Sequence, residues 1–379
     1  MELLFWTLLG ALFYVYAGYP LLVWLLGCLF GQPVRKRQQL PPVSILIAAY
    51  NEEAAIGRTL QNKLDLDYPS HLVEIIVVSD GSADRTDEIA AGFALHGVVL
   101  LRQDPRNGKT AALNLAATRA TGEILVFADA NSLYERTALR HLVANFADPT
   151  VGYVTGTMVY QGSDGAMTAS GCGLYMRYEN FIRRCETRVG SVVGVNGGID
   201  AVRSALYEPM QPDDLSDLVL PLRIVRRGYR VVYEPAAMLA EHALGTPREE
   251  YRMRVRVSLR SLWTIADMAG LLNAWRFGVF SIQLLSHKVL RYLAFVLIVL
   301  FYGSSLSLWD AGTFYRAVLL AQTICFVAAF LGYRVARKGA SSRWLTMPFY
   351  FALVNCAAVH ALWKFLRGER SRVWTPRLG

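Results

Sequence analysis

The chain has 379 residues, 54% of them hydrophobic and only 18% charged, whereas an average soluble domain has about 45–50% apolar and about 25% charged residues. This composition argues against a disordered chain and against a purely soluble one. The net charge of +9 is compatible with a nucleic acid, an anionic lipid or a phosphorylated substrate, so the positions of the charges must decide. The five cysteines include no CxxC pair, which argues against a disulfide framework and a zinc site.

The first 32 residues are predicted to contain a membrane-spanning helix. Residues 3–30 carry no charge, and about 20 apolar residues suffice to cross the bilayer core. Arg35, Lys36 and Arg37 follow this run. The positive-inside rule therefore places the N-terminus outside and the next segment in the cytoplasm.

The region 286–368 is predicted to hold about three more spans. Its apolar runs are 292–308, 314–332 and 345–363. Four spans would leave both termini outside, yet the tail at 369–379 is basic and favours the cytoplasm. Either the tail is translocated, or a further segment such as 277–285 lies in the interface or re-enters the membrane.

Residues 41–245 are predicted to form a cytoplasmic α/β domain. From Pro41 to Phe127, short β-branched runs alternate with helical stretches, which is typical of βαβ units and a mostly parallel sheet. The four predicted strands are VSILIAA, EIIVVSD, GVVLL and EILVFAD. Ligands of such sheets bind where the carboxyl ends of the strands meet.

Each predicted strand is followed by acidic, amide, glycine or lysine residues. The loops read AAYNEE, SDGSADRT, RQDPRNGKTAALN and ADANS. Any one of them could be only a helix N-cap or a turn, but four at successive strand ends indicate a binding site. No GxGxxG follows the first strand and no GxxxxGK[ST] occurs, which argues against dinucleotide and P-loop sites.

Three of these loops carry side chains that suit a nucleotide diphosphate. Asp129 and Asn131 form a short motif at a strand end, and their oxygens suit Mg²⁺ or Mn²⁺ bound to a diphosphate. Lys109 can offer a positive charge to a phosphate, and Asp80 can accept hydrogen bonds from a base or ribose. Together they predict a nucleotide-diphosphate site.

The sequence resembles the membrane-embedded family-2 glycosyltransferases with a GT-A fold. This group contains the bacterial synthases of cellulose, hyaluronan and poly-N-acetylglucosamine. The resemblance runs from about Pro41 to Leu262 and implies a Rossmann-like mixed sheet, a catalytic domain in the cytoplasm at the inner membrane, and amphipathic interfacial helices over 246–285. The motifs that carry it are SILIAAYNE, VVSDGSADRT, RNGKTAALN, FADAN, VNGGIDAVR and LSDLVLPLRIVRRGYRVVYEP.

The resemblance implies roles for the candidate site residues. Tyr50, Glu52 and Asp80 would contact uracil or ribose, and Lys109 the nucleotide. Asp129 would bind the nucleotide sugar and, with Asn131, the metal. The VNGG turn would frame the meeting point of donor sugar and acceptor, and its residues are Asn196, Gly197 and Gly198.

The same resemblance implies a general base. In the family, this aspartate is followed eleven residues later by a glycine, and counting back from Gly228 gives Asp217 rather than Asp213 or Asp214. Asp217 would take the proton of the acceptor hydroxyl as its oxygen attacks C1 of the donor. The metal would stabilise the departing UDP.

The function implied is inverting transfer from a UDP-sugar to a growing cell-surface polysaccharide, with formation of β-linkages. UDP-N-acetylglucosamine and UDP-glucose are the favoured donors. The expected partners are the donor, the acceptor, the lipid bilayer and, where export requires it, a further subunit. No nucleic acid is expected, because no motif for one occurs.

Three departures from the family pattern leave two alternatives open. Asn131 stands in place of a second aspartate, Ser216 in place of an acidic residue, and Val257–Ser261 in place of QxxRW. One alternative is single transfer to a lipid acceptor such as polyprenyl phosphate or a glycolipid. The other is an inactive membrane scaffold of an export complex.

A basic stripe follows the predicted domain. Arg252, Arg256 and Arg260 recur every four residues and so share one face of a helix. Such an amphipathic helix is predicted to lie on an anionic membrane surface, which accounts for much of the positive charge. Arg260 is also a candidate contact to the pyrophosphate or the acceptor.

Overall fold

A computed structural model describes residues 1–161, 167–242 and 246–370. The chain forms two compact units. One consists of Met1–Leu26, Gly162–Ile182 and Ala243–Glu369, and the other of Gly27–Gln161, Arg183–His242 and Arg370–Gly379. The second is called the sheet unit and the first the helical unit. This division differs from the predicted domain boundaries, because the helix Met167–Val189 contributes to both units.

The sheet unit is built on one eight-stranded mixed sheet in the order β3-β2-β1-β4-β7-β6-β8-β5. The strands are β1 Val43–Ala49, β2 Val73–Ser79, β3 Val98–Arg102, β4 Ile124–Asp129, β5 Leu133–Tyr134, β6 Val151–Gln161, β7 Ile199–Arg203 and β8 Arg230–His242. The first four strands of that order are parallel, as predicted, whereas β7 runs antiparallel to both of its neighbours.

The register of the parallel half follows from its apolar strands. Every residue of β1 is buried, since helices cover both faces of such a sheet and its strands become continuously apolar. Val43 pairs with Val73 on one side and with Ile124 on the other. Strands β1, β2 and β4 therefore end side by side, and the loops that follow them meet at one edge.

The helices of the sheet unit are short. They are α3 Ile56–Leu64, α4 Thr86–Ala91, α5 Lys109–Arg119, α6 Ala138–Ala144 and α8 Ser216–Arg226, together with the last part of α7 Met167–Val189. Helix α5 begins after Gly108, whose φ of +93° lies in a region that glycine tolerates best. That turn places Lys109 at the first helical position.

Among the described residues, four helices are long and apolar enough to cross a membrane. They are Glu2–Leu29, Val279–Ser307, Thr313–Arg337 and Arg343–Leu366. The first consists of α1 Glu2–Phe13 and α2 Tyr19–Leu29 joined by a π-helical segment. The second begins at Val279, earlier than the predicted boundary at 286, because α11 Val279–Leu284 continues into α12 Leu290–Ser307. The third and fourth are α13 and α14.

Helix α9 Pro247–Asp267 precedes these spans and carries the predicted basic stripe. The Thr246 hydroxyl accepts a hydrogen bond from the backbone N–H of Glu249, and Pro247 occupies the first turn, which are ordinary signals of a helix start. The short α10 Ala274–Phe277 follows it. Most of the predicted tail, residues 371–379, lies outside the described residues.

Candidate active site

The ends of β1, β2 and β4 bring Tyr50, Asp80 and Asp129 to one edge of the sheet. Tyr50 and Asp80 directly follow β1 and β2, Asp129 is the last residue of β4, and β1 lies between the other two strands. This is the edge at which ligands of open α/β sheets bind. Three of the residues predicted from separate motifs therefore lie around one site.

Asp80 organises the loop that leads into α5. It is 1% exposed, and its Oδ1 accepts hydrogen bonds from the side chain of Gln103 at 2.6 Å and from the backbone N–H of Asn107 at 2.8 Å. The N–H of Gly108 reaches Oδ2 at 3.0 Å, and Arg106 lies 3.4 Å from the same oxygen. These bonds fix the backbone immediately before Lys109.

The loops after β1 and β2 are tied to each other. The backbone N–H of Glu52 donates to the hydroxyl of Thr86 at 2.8 Å, and Glu52 is 8% exposed. The guanidinium of Arg106 lies 3.4 Å from the centroid of the Tyr50 ring, a stacked cation–π arrangement. Tyr50 and Arg106 thus form a flat surface beside Asp80.

Lys109 forms an ion pair with Asp129. Burial alone would lower the pKa of Lys109, but the negative charges of Asp129 and Asp217 outweigh it and raise that pKa above its ordinary value. Lys109 is therefore a permanent cation that lies between two of the predicted site carboxylates.

A second buried lysine supports the loop after β4. Lys63 is 1% exposed, and its ammonium donates to the carbonyl of Ser132 at 2.7 Å. It also lies 3.7 Å from the centroid of the Tyr134 ring. Burial lowers its pKa well below the ordinary value, although the charge of Asp129 opposes that shift. Sequence reasoning missed Lys63, although its spacing from Ile56 and Leu60 places it on the buried face of α3.

The VNGG turn lies against two carboxylates at once. A Cβ added to Gly197 would be 2.2 Å from Oδ2 of Asp217, and one added to Gly198 would be 2.9 Å from Oδ2 of Asp129. Real Cβ atoms do not approach so closely, so only glycine allows these contacts. Asn196 fixes the turn by donating its backbone N–H to Thr155 Oγ1 at 3.0 Å.

The surroundings of the two candidate bases differ. Asp217 lies in the first turn of α8, where its Oδ1 accepts a hydrogen bond from the Ser216 hydroxyl at 2.9 Å. Asp214 is engaged instead with Arg223 at 3.2 Å and accepts the backbone N–H of Gln211 at 2.9 Å. Asp217 faces the VNGG turn, and this geometry favours it over Asp214.

The available ligand atoms suit a divalent cation that is also bound by a diphosphate. In the described residues, no three His, Cys, Asp or Glu side chains come close enough to hold a metal ion by themselves. Asp129 and Asn131 offer oxygen ligands, and the absent side chain of Gly198 leaves room beside Asp129. Mg²⁺ usually takes one or two protein carboxylates and completes its shell with phosphate oxygens and waters.

The glycosyl transferase family 2 model matches residues 44–204. This range includes the loops after β1, β2 and β4 and the VNGG turn. Residues 44–204 are a family-2 glycosyltransferase domain. For this domain, the predicted family and enzyme class are confirmed.

Curated relatives support the same assignment for this part of the chain. The probable glycosyltransferase YdaM of Bacillus subtilis (strain 168) is 29% identical over 240 residues, covering 58% of this chain and 55% of the relative. The poly-beta-1,6-N-acetyl-D-glucosamine synthase of Staphylococcus aureus (strain COL) is 28% identical over 206 residues, covering 53% of this chain and 50% of the relative. The chain thus spans about half the length of these relatives.

A solved structure resembles almost the whole chain. The mannosyltransferase PcManGT from Pyrobaculum calidifontis, in complex with GDP-Man and Mn²⁺, superposes with a TM-score of 0.70 at 26% identity, covering 94% of this chain and 99% of that one. The predicted GT-A fold with additional apolar helices is thereby confirmed.

The glycosyltransferase domain contains a further carboxyl that sequence reasoning missed. Asp200 lies in β7, two residues after Gly198, and is 1% exposed. An aspartate inside the apolar strand IDAVR was the available signal, because an acid in a buried strand requires partners. Asp200 and Asp217 line the same small cavity.

The structure places the remaining predicted residue, Arg260, on α9 in the helical unit. Its contact with pyrophosphate or acceptor stays a prediction. A different arginine of the same helix is half-buried: Arg254 contacts Glu250 at 2.9 Å and the hydroxyl of Tyr350 at 2.6 Å. Glu250 and Arg254 are one helical turn apart, a spacing that allows such a pair.

Proposed function

We propose that the glycosyltransferase domain transfers a sugar from a nucleotide-diphosphate sugar to an acceptor hydroxyl with inversion at C1. The observation that carries this proposal is the VNGG turn. Its two adjacent glycines lie against Asp217 and Asp129 respectively, so a carboxylate suited to accept a proton and one suited to the diphosphate flank the same short backbone segment.

In this proposal Asp217 is the general base. The acceptor hydroxyl donates its proton to the Asp217 carboxylate as its oxygen forms a bond to C1 of the donor sugar. The bond from C1 to the diphosphate breaks in the same displacement, and no covalent intermediate forms. An α-linked donor therefore gives a β-linked product.

The leaving group departs on the other side of the same turn. Lys109 lies beside Asp129, and its positive charge is suited to the negative charge that grows on the departing diphosphate. Asp129 and Asn131 would hold Mg²⁺ or Mn²⁺, and a bound cation supplies further charge to the diphosphate. The negative charges beside Lys109 raise its pKa, which favours its charged form.

The favoured donor is UDP-N-acetylglucosamine, followed by UDP-glucose. Relatives named as poly-beta-1,6-N-acetyl-D-glucosamine synthases match the glycosyltransferase domain and support a glucosamine-type sugar. A specific observation supports GDP-mannose as an alternative to these UDP-sugars, since the structure that matches over nearly the whole chain holds GDP-Man and Mn²⁺.

The acceptor in our proposal is a growing polysaccharide at the cytoplasmic face of the inner membrane. The four long apolar helices support a membrane location, and the basic residues after the first one support a cytoplasmic sheet unit. The second candidate is a single transfer to a lipid acceptor. The sequence Val257–Ser261 favours it, because it lacks the glutamine and tryptophan of QxxRW.

The test is nucleotide release by the detergent-solubilised full chain with Mg²⁺ or Mn²⁺. The donors are UDP-N-acetylglucosamine, UDP-glucose and GDP-mannose. Each is supplied with a soluble β-linked N-acetylglucosamine oligosaccharide or with polyprenyl phosphate, and the radiolabelled product is sized. The control is the Asp217→Asn variant, assayed under the same conditions.

The proposal predicts release with one donor and a product that lengthens the oligosaccharide. Release with a single-sugar, lipid-soluble product would replace the polysaccharide acceptor with the lipid. Absence of release with every donor would contradict the proposed activity and would revive the inactive scaffold or a requirement for a partner subunit.

A further inference from the structure

A small cavity is lined by the buried carboxyl group of Asp200 and the half-buried carboxyl group of Asp217. Its volume is about 10 Å³, which is about the space that one water molecule requires. Its polar lining comes from Lys109, Tyr153, Asp200, Ser216 and Asp217. The cavity is therefore matched to one oxygen-bearing group, such as a single hydroxyl.

Asp200 occupies the middle of the sheet on one side of this cavity. In β7 it pairs with Phe127 of β4 and with Thr155 of β6. The side chains of Thr155 and Tyr153 form hydrogen bonds with its carboxyl group. Its Oδ1 has no hydrogen-bond partner among the described residues, and a buried oxygen without a partner is unfavourable.

Asp200 is also held in register with the VNGG turn. The hydroxyl of Thr155 accepts the backbone N–H of Asn196 at 3.0 Å and forms a hydrogen bond with Asp200. One hydroxyl thereby links Asp200 to the turn whose glycines face Asp217 and Asp129. Because Asp217 lies against Gly197 of this turn, the link also positions Asp200 relative to Asp217.

We propose that Asp200 binds the attacking hydroxyl of the acceptor together with Asp217. This inference rests on the proposed function, because it assigns a contact of the same acceptor. The hydroxyl donates its hydrogen to Asp217, and its oxygen accepts a hydrogen bond from the protonated Oδ1 of Asp200. Its second lone pair stays available for attack on C1, the proton passes to Asp217, and Asp200 keeps its own proton.

The electrostatics of the pair agree with this division of roles. Burial raises the pKa of Asp200 well above its ordinary value, and the negative charge of Asp217 raises it further. Hydrogen bonds from Thr155 and Tyr153 and the charge of Lys109 oppose this shift without reversing it. A raised pKa of this kind is typical of active-site carboxyl groups that keep their proton and donate a hydrogen bond.

The test compares Asp200→Asn with Asp200→Leu, using the donor and acceptor that wild-type protein accepts in the panel above. The amide of asparagine keeps a hydrogen-bond donor of the same shape, so its acceptor KM stays near the wild-type value. Leucine lacks any donor and is expected to raise the acceptor KM about tenfold, the effect of one lost hydrogen bond. The donor KM stays unchanged in both variants.

The control is Thr59→Val. Thr59 is 1% exposed, and its hydroxyl is likewise without a hydrogen-bond partner among the described residues, but it does not line the cavity. This variant is expected to leave both KM values unchanged. Melting temperature and nucleotide binding establish that each variant is folded.

An unchanged acceptor KM in a folded Asp200→Leu variant would overturn the inference, as would an equal loss in the asparagine variant. If Asp200→Leu does not fold, Tyr153→Phe decides, since it removes a hydroxyl that bonds to Asp200 while keeping the ring. A raised acceptor KM in that variant supports the inference, and an unchanged one overturns it. Wild-type protein that uses no donor would instead contradict the proposed function itself, and the inference with it.

Discussion

The nucleotide side and the transfer side of the site are built differently. On the nucleotide side, both carboxylate oxygens of Asp80 accept hydrogen bonds from the loop before α5, from Gln103, Asn107 and Gly108. On the transfer side, the absent side chains of Gly197 and Gly198 leave room for Asp217 and Asp129. Changes on the nucleotide side should therefore lower nucleotide affinity, and changes on the transfer side should lower turnover.

Of the substitutions Gly197→Ala, Lys63→Met and Asp80→Asn, the first should lower turnover most. Its Cβ would be 2.2 Å from Oδ2 of Asp217, so the Asp217 carboxylate must move. A misplacement of about 1 Å can cost about 10²-fold in rate. We expect turnover to fall by about that factor while nucleotide affinity stays near the wild-type value. Steady-state kinetics and nucleotide titration measure the two quantities.

Its matched control is Gly190→Ala, because an added Cβ there would meet nothing within 4 Å. This control should leave turnover unchanged. A Gly197→Ala variant that loses nucleotide affinity rather than turnover would remove the distinction between the two sides.

The substitution Lys63→Met should act on the metal. The ammonium of Lys63 holds the Ser132 carbonyl at 2.7 Å, and methionine fills similar space without that bond. Loss of such indirect support for metal ligands typically costs about 10- to 100-fold in metal affinity. We expect the Mn²⁺ concentration for half-maximal activity to rise by that factor, with activity restored at high Mn²⁺.

The exposed Lys338 provides the control, since Lys338→Met also replaces one lysine with methionine and Lys338 belongs to the helical unit. Activity of Lys63→Met that stays low at every Mn²⁺ concentration would show that the loop has collapsed rather than lost metal affinity.

The substitution Asp80→Asn should have the smallest effect of the three on turnover. An amide cannot accept all of the hydrogen bonds that hold the loop before Lys109, and bonds to a charged group contribute about 1.5–3 kcal/mol each. We expect nucleotide affinity to fall about tenfold or more, while turnover at saturating donor stays near the wild-type value. Equilibrium binding and kcat report these separately.

Asp65→Asn is the control on the same unit, because Asp65 is exposed and pairs only locally with Gln61 among its described contacts. If Asp80→Asn lowers kcat at saturating donor as strongly as Gly197→Ala does, the proposed separation of binding and turnover is wrong.

The first half of the sheet could be predicted from the sequence because its strands are local and apolar on both faces. β1 Val43–Ala49 was predicted in full, and β4 Ile124–Asp129 to within one residue. The second half could not be predicted in this way. β7 runs antiparallel and contains Asp200, and β8 pairs with β6 through register shifts, so neither shows the uninterrupted apolar run of a parallel strand.

The residues of the site likewise fall into a group that the sequence could predict and a group that it could not. Asp80, Lys109 and Asp129 lie at the carboxyl ends of predicted strands or in the motifs that follow them, where a short motif is enough to find them. Lys63 and Asp200 reach the site from inside a helix and a strand, and only the three-dimensional packing brings them there. The choice between Asp217 and Asp214 depended on a spacing, and the Arg223 contact of Asp214 gives it a physical reason.

The measurement that tests the central claim most directly is single-turnover sugar transfer by Asp217→Asn and Asp214→Asn, with nucleotide binding measured on the same preparations. The account predicts that Asp217→Asn binds nucleotide normally and loses at least about 10²-fold in rate, as expected for a general base, while Asp214→Asn transfers sugar at close to the wild-type rate. Near-normal transfer by Asp217→Asn, or an equal loss in both variants, would contradict it.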